Sequence, residues 1–328
     1  MKIDGDPGPL VVIGGAEDKQ DECAVLGTFV RLAGGADARI VVLTVASEEP
    51  HITGPKYQSV FERLGAATVE VVDVESREEA QRSAETIERA TGVFFTGGNQ
   101  RRIATLLGGT AADVALRRLH AAGAVLGGTS AGAAAMSGTM ILGGAALVSP
   151  RVGAVEVGPG LEFVPGMIID QHFGQRGRIG RLLSAVARYP HHLGVGIDED
   201  TAMVVTGEEF EVIGSGSVTV IDAGAVTFDG ELESGGRDPL ALLGVRLHVL
   251  PQGFRYDMRE RTATGPAEKQ ITAAREAIGR SGVVDAKEES GEHATRNGAG
   301  ASGAERAPAP PGASRKNRAR GPDRSRQR

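Results

Sequence analysis

A chain of 328 residues, 41% hydrophobic and 24% charged, has the make-up of a globular protein with one large domain or two ordinary ones, with enough apolar side chains for a sizeable core. Its only cysteine, Cys23, excludes an internal disulfide, a thiolate metal cluster and a Cys-x-x-Cys redox pair, and fits a reducing compartment. The net charge of -6 hides a more acidic body and a basic end, because Arg and Lys far outnumber the single acid Asp323 from Arg306 onward.

The first ten residues hold one Lys and then Asp, Gly and Pro where a secretory leader needs an apolar stretch, so no export is expected. Leu10–Ile13 reads as the first strand, followed by Gly14-Gly15-Ala16-Glu17-Asp18-Lys19, and Arg39–Val45 reads as the second. Tyr57, Val60, Phe61 and Leu64 recur at helical spacing and stop at Gly65. A third strand at Thr68–Val72 precedes Ser76 and Glu79, a capping-box pattern that opens a helix through Arg89. Gly92–Phe95 is the fourth strand, ending in Thr96-Gly97-Gly98-Asn99-Gln100. Ala124–Gly127 is the fifth, ending in Gly128-Thr129-Ser130-Ala131-Gly132, and Met167–Ile169 is the sixth, ending in Asp170-Gln171-His172-Phe173. Ile179, Leu182, Leu183 and Val186 form a further buried helical stripe.

Short strand-like runs follow at Gly194–Ile197, Thr201–Val205, Glu209–Ile213, Val218–Asp222 and Leu247–Leu250, which extend the same sheet or add a small antiparallel one. Regular alternation of strand and helix implies an α/β fold, a mostly parallel central sheet with helices on both faces. The most apolar stretch, Ala121–Met136, is mainly Gly, Ala, Ser and Thr and falls short of the ~20 strongly apolar residues of a membrane helix, so a soluble protein is expected, and the lone cysteine with no export signal makes the expected place cytoplasmic. Beyond Gly265 the composition turns to Ala, Gly, Ser, Pro and charge, which divides the chain into a folded domain, residues 1–261, and a low-complexity, disordered basic tail, residues 262–328. Such a tail either binds an anionic partner such as nucleic acid or is a solvated extension, and composition favours the extension.

The four distinctive stretches all stand directly after strands. The carboxyl ends of parallel strands share one edge of the sheet, where ligands bind, so sequence order gathers them around one crevice. Gly128 to Gly132 is G-x-S-x-G, a pattern in which a sharp strand-to-helix turn lifts a serine hydroxyl. Alone it also describes a glycine-rich turn with a serine helix cap. Ser130 needs a base, and of seven histidines His172 alone ends a strand beside the elbow. His51 is a weaker rival in a loop after a strand; His120 belongs to the opposite rim, His191 and His192 to a loop, His248 to a late strand and His293 to the tail.

For the acid that orients the base, Asp170 either lines the pocket or supports His172, while Glu199 within Asp198-Glu199-Asp200 follows another short strand. Three adjacent carboxylates also describe a solvated turn or a metal loop. With Glu199 the chain order is Ser, His, Glu, unlike the Ser, Asp/Glu, His order of α/β-hydrolases. Arg176, Arg178 and Arg181 open the helix after His172, with Arg178 and Arg181 on one face. Near a nucleophile such a cluster suits a free carboxylate; otherwise it is a solvated face.

Taken together, Val12 to Lys19, Phe95 to Gln100, Gly127 to Ala133, Asp170 to Phe173 with Gln175-Arg176-Gly177-Arg178, and Gly196 to Thr201 strongly resemble the cyanophycinases. The likeness runs from about Pro9 to Arg259, including Leu247 to Gly253, and leaves the tail as a departure from the compact family pattern. It implies a fold like the class I glutamine amidotransferases, a flavodoxin-like three-layer arrangement. It also implies a serine exopeptidase, working as a homodimer without metal or other cofactor, that releases β-Asp-Arg dipeptides from cyanophycin through an acyl-enzyme. Cyanophycin is a polyaspartate bearing arginine on each β-carboxyl.

By the same resemblance Ser130 is the nucleophile, His172 the base and Glu199 its partner, and the N–H groups of Gly98 and Ala131 form an oxyanion hole. Gln100, Asp170, Gln171, Arg176, Arg178 and Arg181 are similar to substrate-pocket residues, with Asp170 suited to the substrate's guanidinium. The rival readings are a related aspartyl dipeptidase acting on short Asp-X peptides and a binding protein of the same fold without turnover. A nucleotide-binding protein is disfavoured, because neither G-x-G-x-x-G nor a Walker lysine is present.

Overall fold

The computed structural model describes residues 6–225 and 238–266 of the chain. Most of the expected tail, with His293 and the basic run from Arg306, lies outside the described residues.

In chain order the elements are β1 (Leu10–Ile13), α1 (Ala24–Leu32), β2 (Arg39–Leu43), α2 (Pro50–Arg63), β3 (Thr68–Val72), α3 (Arg77–Arg82), α4 (Ala84–Glu88) and β4 (Gly92–Phe95). They continue with α5 (Gln100–Leu107), α6 (Ala111–Ala121), β5 (Val125–Thr129), α7 (Ala131–Ala135), β6 (Thr139–Gly144), β7 (Val155–Pro159), β8 (Met167–Gln171) and α8 (Ile179–Arg188). The last are β9 (Leu193–Ile197), β10 (Thr201–Thr206), β11 (Glu209–Gly214), β12 (Ser217–Asp222), β13 (Arg246–Pro251), β14 (Arg255–Asp257) and β15 (Thr262–Thr264).

The principal sheet has the order β15-β14-β11-β10-β1-β5-β4-β2-β3. From β1 through β5, β4 and β2 to β3 every pairing is parallel, and from β1 outward through β10, β11, β14 and β15 every pairing is antiparallel. This is an α/β fold with a mixed sheet whose core is parallel. A second sheet, β13-β12-β9-β8, begins with the parallel pair β8 and β9 and continues antiparallel, and β6 with β7 forms a hairpin. The late strand-like runs therefore take both courses left open by the sequence: β10 and β11 extend the main sheet, whereas β9, β12 and β13 build the second.

Strand β1 explains the three layers. All four of its residues are buried, and successive side chains point to opposite faces: Leu10 and Val12 join one apolar cluster, Val11 and Ile13 the other. On the second face Phe94 of β4 meets Phe29 of α1 and Tyr57 and Phe61 of α2, with ring centroids 5.3, 5.0 and 5.1 Å away. Burial of rings at these separations fastens both helices to the sheet, each aromatic pair adding about 0.5–1.5 kcal/mol beyond its area.

Several boundaries depart from the sequence reading. The fifth strand runs on to Thr129 and the sixth to Gln171, so Gly128, Thr129, Asp170 and Gln171 are strand residues. The capping box at Ser76 is formed, but the helix breaks at Ser83, whose hydroxyl turns back to the Ala80 carbonyl at 3.1 Å. α8 begins at Ile179, so Arg176 and Arg178 precede it and only Arg181 lies within it. No helix among the described residues is long and apolar enough to cross a membrane.

Candidate active site

Strand β5 passes into helix α7 through the single residue Ser130, whose backbone is held at φ 52°, ψ −108°. A β-carbon on Gly128 would stand 2.7 Å from the Gly132 carbonyl carbon, so the bend closes only with glycine there, and one on Gly132 would stand 2.4 Å from Phe95 O, so the helix start packs against β4 only with glycine at that position. The Ser130 amide donates to Ile13 O at 3.0 Å and its carbonyl accepts from Ala134 N at 3.0 Å, which ties the turn to β1 and to the helix. A positive φ at a residue other than glycine costs about 1–3 kcal/mol and persists only where surrounding structure enforces it. Here the entire helix behind it is buried.

His172 follows β8 and is also held at positive φ, 49°. Its amide donates to Gly14 O at 2.8 Å. Its Nε2 lies 3.0 Å from Ser130 Oγ, and its Nδ1 lies 2.6 Å from Glu199 Oε1. A carboxylate only accepts, so Nδ1 carries the proton and Nε2 is left as the acceptor for the serine hydroxyl. Burial holds the imidazole below its ordinary pKa; the hydrogen bond that Nδ1 donates to Glu199 pulls it up, and the guanidinium of Arg176 pushes it down again. A neutral, hydrogen-bonded imidazole touching a hydroxyl on a helix start is the arrangement that nucleophilic acyl transfer requires.

Gly15 makes room for that ring. It has φ +106°, and a β-carbon there would stand 2.4 Å from His172 Cε1 and 2.5 Å from Nε2. The neighbouring carbonyls of β1's end act as clamps: Gly14 O holds His172, and Gly15 O accepts from Asp200 N at 2.9 Å.

The three consecutive carboxylates divide their tasks. Asp198 accepts from Gly174 N at 2.9 Å through one oxygen and from Ser217 N and Oγ at 3.1 and 2.8 Å through the other. Asp200 accepts from Asp18 N at 2.9 Å and from the Ser215 hydroxyl at 2.9 Å. Glu199 reaches His172, and its amide donates to the Gln175 side chain at 3.0 Å. The carboxylates diverge to separate partners instead of converging on one point, which is neither a plain solvated turn nor a metal loop.

Glu199, not Asp170, contacts Nδ1. Asp170 is 1% exposed and lies beneath the site, where its carboxylate accepts from Arg178 Nη1 at 3.1 Å, from Arg181 Nε at 2.8 Å and from its neighbour Gln171 N at 2.9 Å. Arg178 also donates to the backbone and side-chain oxygens of Gln171, and Arg181 donates to Gly144 O at 3.0 Å. Two corrections follow. Arg178 and Arg181 are buried, not a solvated or open face, and the carboxylate they meet is the chain's own. Asp170, expected to receive a substrate guanidinium, is occupied by these two. Burial of so many charges is tolerable because each is paired and hydrogen-bonded.

Arg176, by contrast, is exposed and has no ionic partner among the described residues. Gln100 turns its amide nitrogen to Ile141 O at 3.0 Å, joining α5 to β6. Gly97 abuts the elbow, since a β-carbon there would be 3.5 Å from Ser130 Cβ; Gly98 follows it, and Ala131 is the first residue of α7.

Sequence reasoning passed over Glu17. Its side chain is fully buried and accepts from Tyr57 OH at 2.5 Å and from Thr129 Oγ1, next to the serine, at 2.6 Å, with Lys19 Nζ 2.8 Å away. Burial raises its pKa, yet the Lys19 ammonium and the hydrogen bonds from Lys19, Thr129 and Tyr57 together leave it below the ordinary value. Its place in a loop directly after a strand, like Ser130, was the available signal. The rival histidines stay apart: His120 bonds Gly8 O at 2.8 Å on the far rim, and His51 is exposed on α2.

Residues 10–213 match the family model described as Peptidase family S51. The chain is 43% identical over 254 residues to the cyanophycinase of Geminocystis herdmanii, covering 76% of this chain and 93% of that protein. It is 41% identical over 268 residues to the cyanophycinase of Trichormus variabilis, covering 80% and 90%. Among solved structures a peptidase from an acI-B1 actinobacterium superposes with a TM-score of 0.57 at 19% identity over 77% of this chain and 97% of that one, a likeness of fold.

Proposed function

The chain belongs to peptidase family S51, and from that premise we propose that it is a serine exopeptidase that hydrolyses cyanophycin to β-Asp-Arg dipeptides through an acyl-enzyme. The observation that carries the proposal is the unbroken chain from Ser130 Oγ through the His172 imidazole to Glu199, with links of 3.0 and 2.6 Å.

In this reading the Ser130 hydroxyl gives its proton to His172 Nε2 as Oγ attacks the main-chain carbonyl of an aspartate unit. The imidazolium so formed is stabilised by Glu199. Negative charge develops on the former carbonyl oxygen, which faces the N–H groups of Gly98 and Ala131. Collapse breaks the C–N bond, and His172 returns the proton to the departing amine. Water then gives a proton to His172 as its oxygen attacks the acyl carbon, and collapse breaks the bond to Ser130 Oγ, which takes that proton back from His172. Arg176, exposed beside the base, is the cation of the set placed to meet a substrate carboxylate. Asp170, Arg178 and Arg181 act through Gln171, whose position they fix, and Gln100 holds the opposite wall.

A homodimer in the cytoplasm completes the proposal, and sedimentation of the purified chain tests the dimer. The decisive experiment incubates wild type and Ser130→Ala with insoluble cyanophycin and identifies the soluble products. Wild type is expected to release β-Asp-Arg, and the alanine variant to be slower by about 10⁶-fold. Abundant dipeptide from Ser130→Ala removes the proposed nucleophile, and no product from either protein refutes the assignment.

A further inference from the structure

Ser130 also borders a cavity of about 330 Å³ whose walls do not include the base. Its walls are Ala16, Glu17 and Lys19 from the loop after β1, Ile52, Thr53, Lys56 and Tyr57 from α2, and Gly97, Thr129 and Ser130. The α2 residues are spaced i, i+1, i+4, i+5 and so form one helix face turned to the nucleophile. Neither His172 nor any residue of the loop after it contributes.

The charges of this cavity do not cancel. Lys19 is committed: its ammonium lies 2.8 Å from Glu17 Oε1, donates to Glu17 O at 3.1 Å, and sits 5.1 Å over the Tyr57 ring. The carboxylate of Glu17 is in turn fully buried, neutralised by Lys19 and hydrogen-bonded by Tyr57 and Thr129, so it is not presented to another cation. Lys56 is exposed at the cavity and has no ionic partner among the described residues. One uncompensated ammonium beside a nucleophile, in a pocket whose only acid is spent, attracts an anion and repels a guanidinium.

We propose that this cavity is the subsite for the arginine carboxylate of the acyl unit, the unit whose carbonyl Ser130 attacks, and that Lys56 is its contact. The proposal rests on the cyanophycin reading above. Each unit of that polymer carries one arginine with a free carboxylate and a guanidinium, and only the first suits Lys56. The assignment to the acyl unit follows from the proton path. His172 must protonate the departing amine, so the leaving unit lies toward His172 and Arg176, and the walls that do not include the base are left for the acyl side. Ile52 and the edge of Tyr57 then offer apolar surface to the arginine stem.

The test uses two synthetic oligomers that differ only in the arginine of the acyl unit, a free acid in one and a carboxamide in the other. Wild type is expected to favour the acid by about ten- to a hundredfold in kcat/KM, the worth of a hydrogen bond to a charged partner. Lys56→Gln should lose that factor on the acid and nothing on the amide, Lys56→Arg should regain most of it, and Ser130 should react with a fluorophosphonate at the wild-type rate in all three proteins. Equal losses on both oligomers, an unchanged preference in Lys56→Gln, or slowed labelling overturns the subsite while cleavage by wild type upholds the peptidase reading. Failure of wild type to cleave either oligomer overturns that reading, and the subsite with it.

Discussion

Replacing Gly15 by alanine tests whether the serine and the imidazole work by contact. The added β-carbon would stand 2.4 Å from His172 Cε1, about 1 Å short of a normal contact between carbon atoms, and the obstacle is the ring itself. A ring displaced by that amount leaves the 3.0 Å contact with Ser130 Oγ at about 4 Å, beyond hydrogen-bonding range. A misplacement of about 1 Å costs on the order of 10²-fold in rate. Alanine at this φ also strains the backbone by about 1–2 kcal/mol, a fall in Tm of roughly 2–8 °C. Gly65→Ala separates the two effects, because Gly65 has a comparable φ of +92° with nothing within 4 Å of its added carbon. Both variants should lose similar stability by thermal melting, and only Gly15→Ala should lose kcat/KM, measured on a β-Asp-Arg oligomer at 25 °C. A folded Gly15→Ala protein within threefold of wild type, or an equal loss in Gly65→Ala, refutes the reasoning.

The acid limb of kcat/KM should lie below the ordinary histidine value of 6.5, since burial lowers the base and it must be neutral to act. Arg176→Ala removes a cation that depresses it, so the limb should move to higher pH, and Arg176→Lys should restore it. Glu199→Gln should lower kcat by about 10³- to 10⁴-fold in single-turnover assays with little change in Tm. Asp198→Ala strips the acceptor from Gly174 and Ser217 and should cost about 1–3 kcal/mol in urea denaturation together with a lower kcat. Glu17, held below 4.5 in the fold, contributes stability that is complete above pH 4.5 and lost as pH falls through its folded value, so Glu17→Gln should be less stable at pH 7 and show a shallower acid-side decline.

Ser130 was legible because the elbow is a local device: its glycines, its strand and its helix are neighbours in sequence, and steric demands within five residues define it. His172 was legible through strand order, which sends every strand-end loop to one rim. Arg178 and Arg181 were misread for the complementary reason. Charge spacing on a helix speaks for solvent unless a buried acid awaits it, and Asp170 reaches them only when β8 and the approach to α8 are folded against each other. Glu17 escaped notice likewise, since its partners Tyr57 and Thr129 are 40 and 112 residues away. The β6–β7 hairpin went unseen because Gly143, Gly144 and Gly158 dilute its β-branched pattern.

The position of the site follows from where the chain changes sheets. Strand β9 belongs to the second sheet and β10 to the first, and the only residues between them are Asp198, Glu199 and Asp200. β8, which leads directly into His172, lies beside β9 in the second sheet, whereas β5, which leads directly into Ser130, lies beside β1 in the first. Ser130 and His172 thus belong to different sheets, and their 3.0 Å contact depends on how the two are joined. The joint is made at the end of β1, where Gly14 O holds His172, Gly15 O holds Asp200, and Gly14 N returns to Thr201 O at 2.9 Å. Asp198 and Asp200 fasten the crossover to the loops on either side, and the carboxylate between them, Glu199, is the one that meets the imidazole. A change that loosens this joint should therefore separate the base from the nucleophile before it unfolds either sheet.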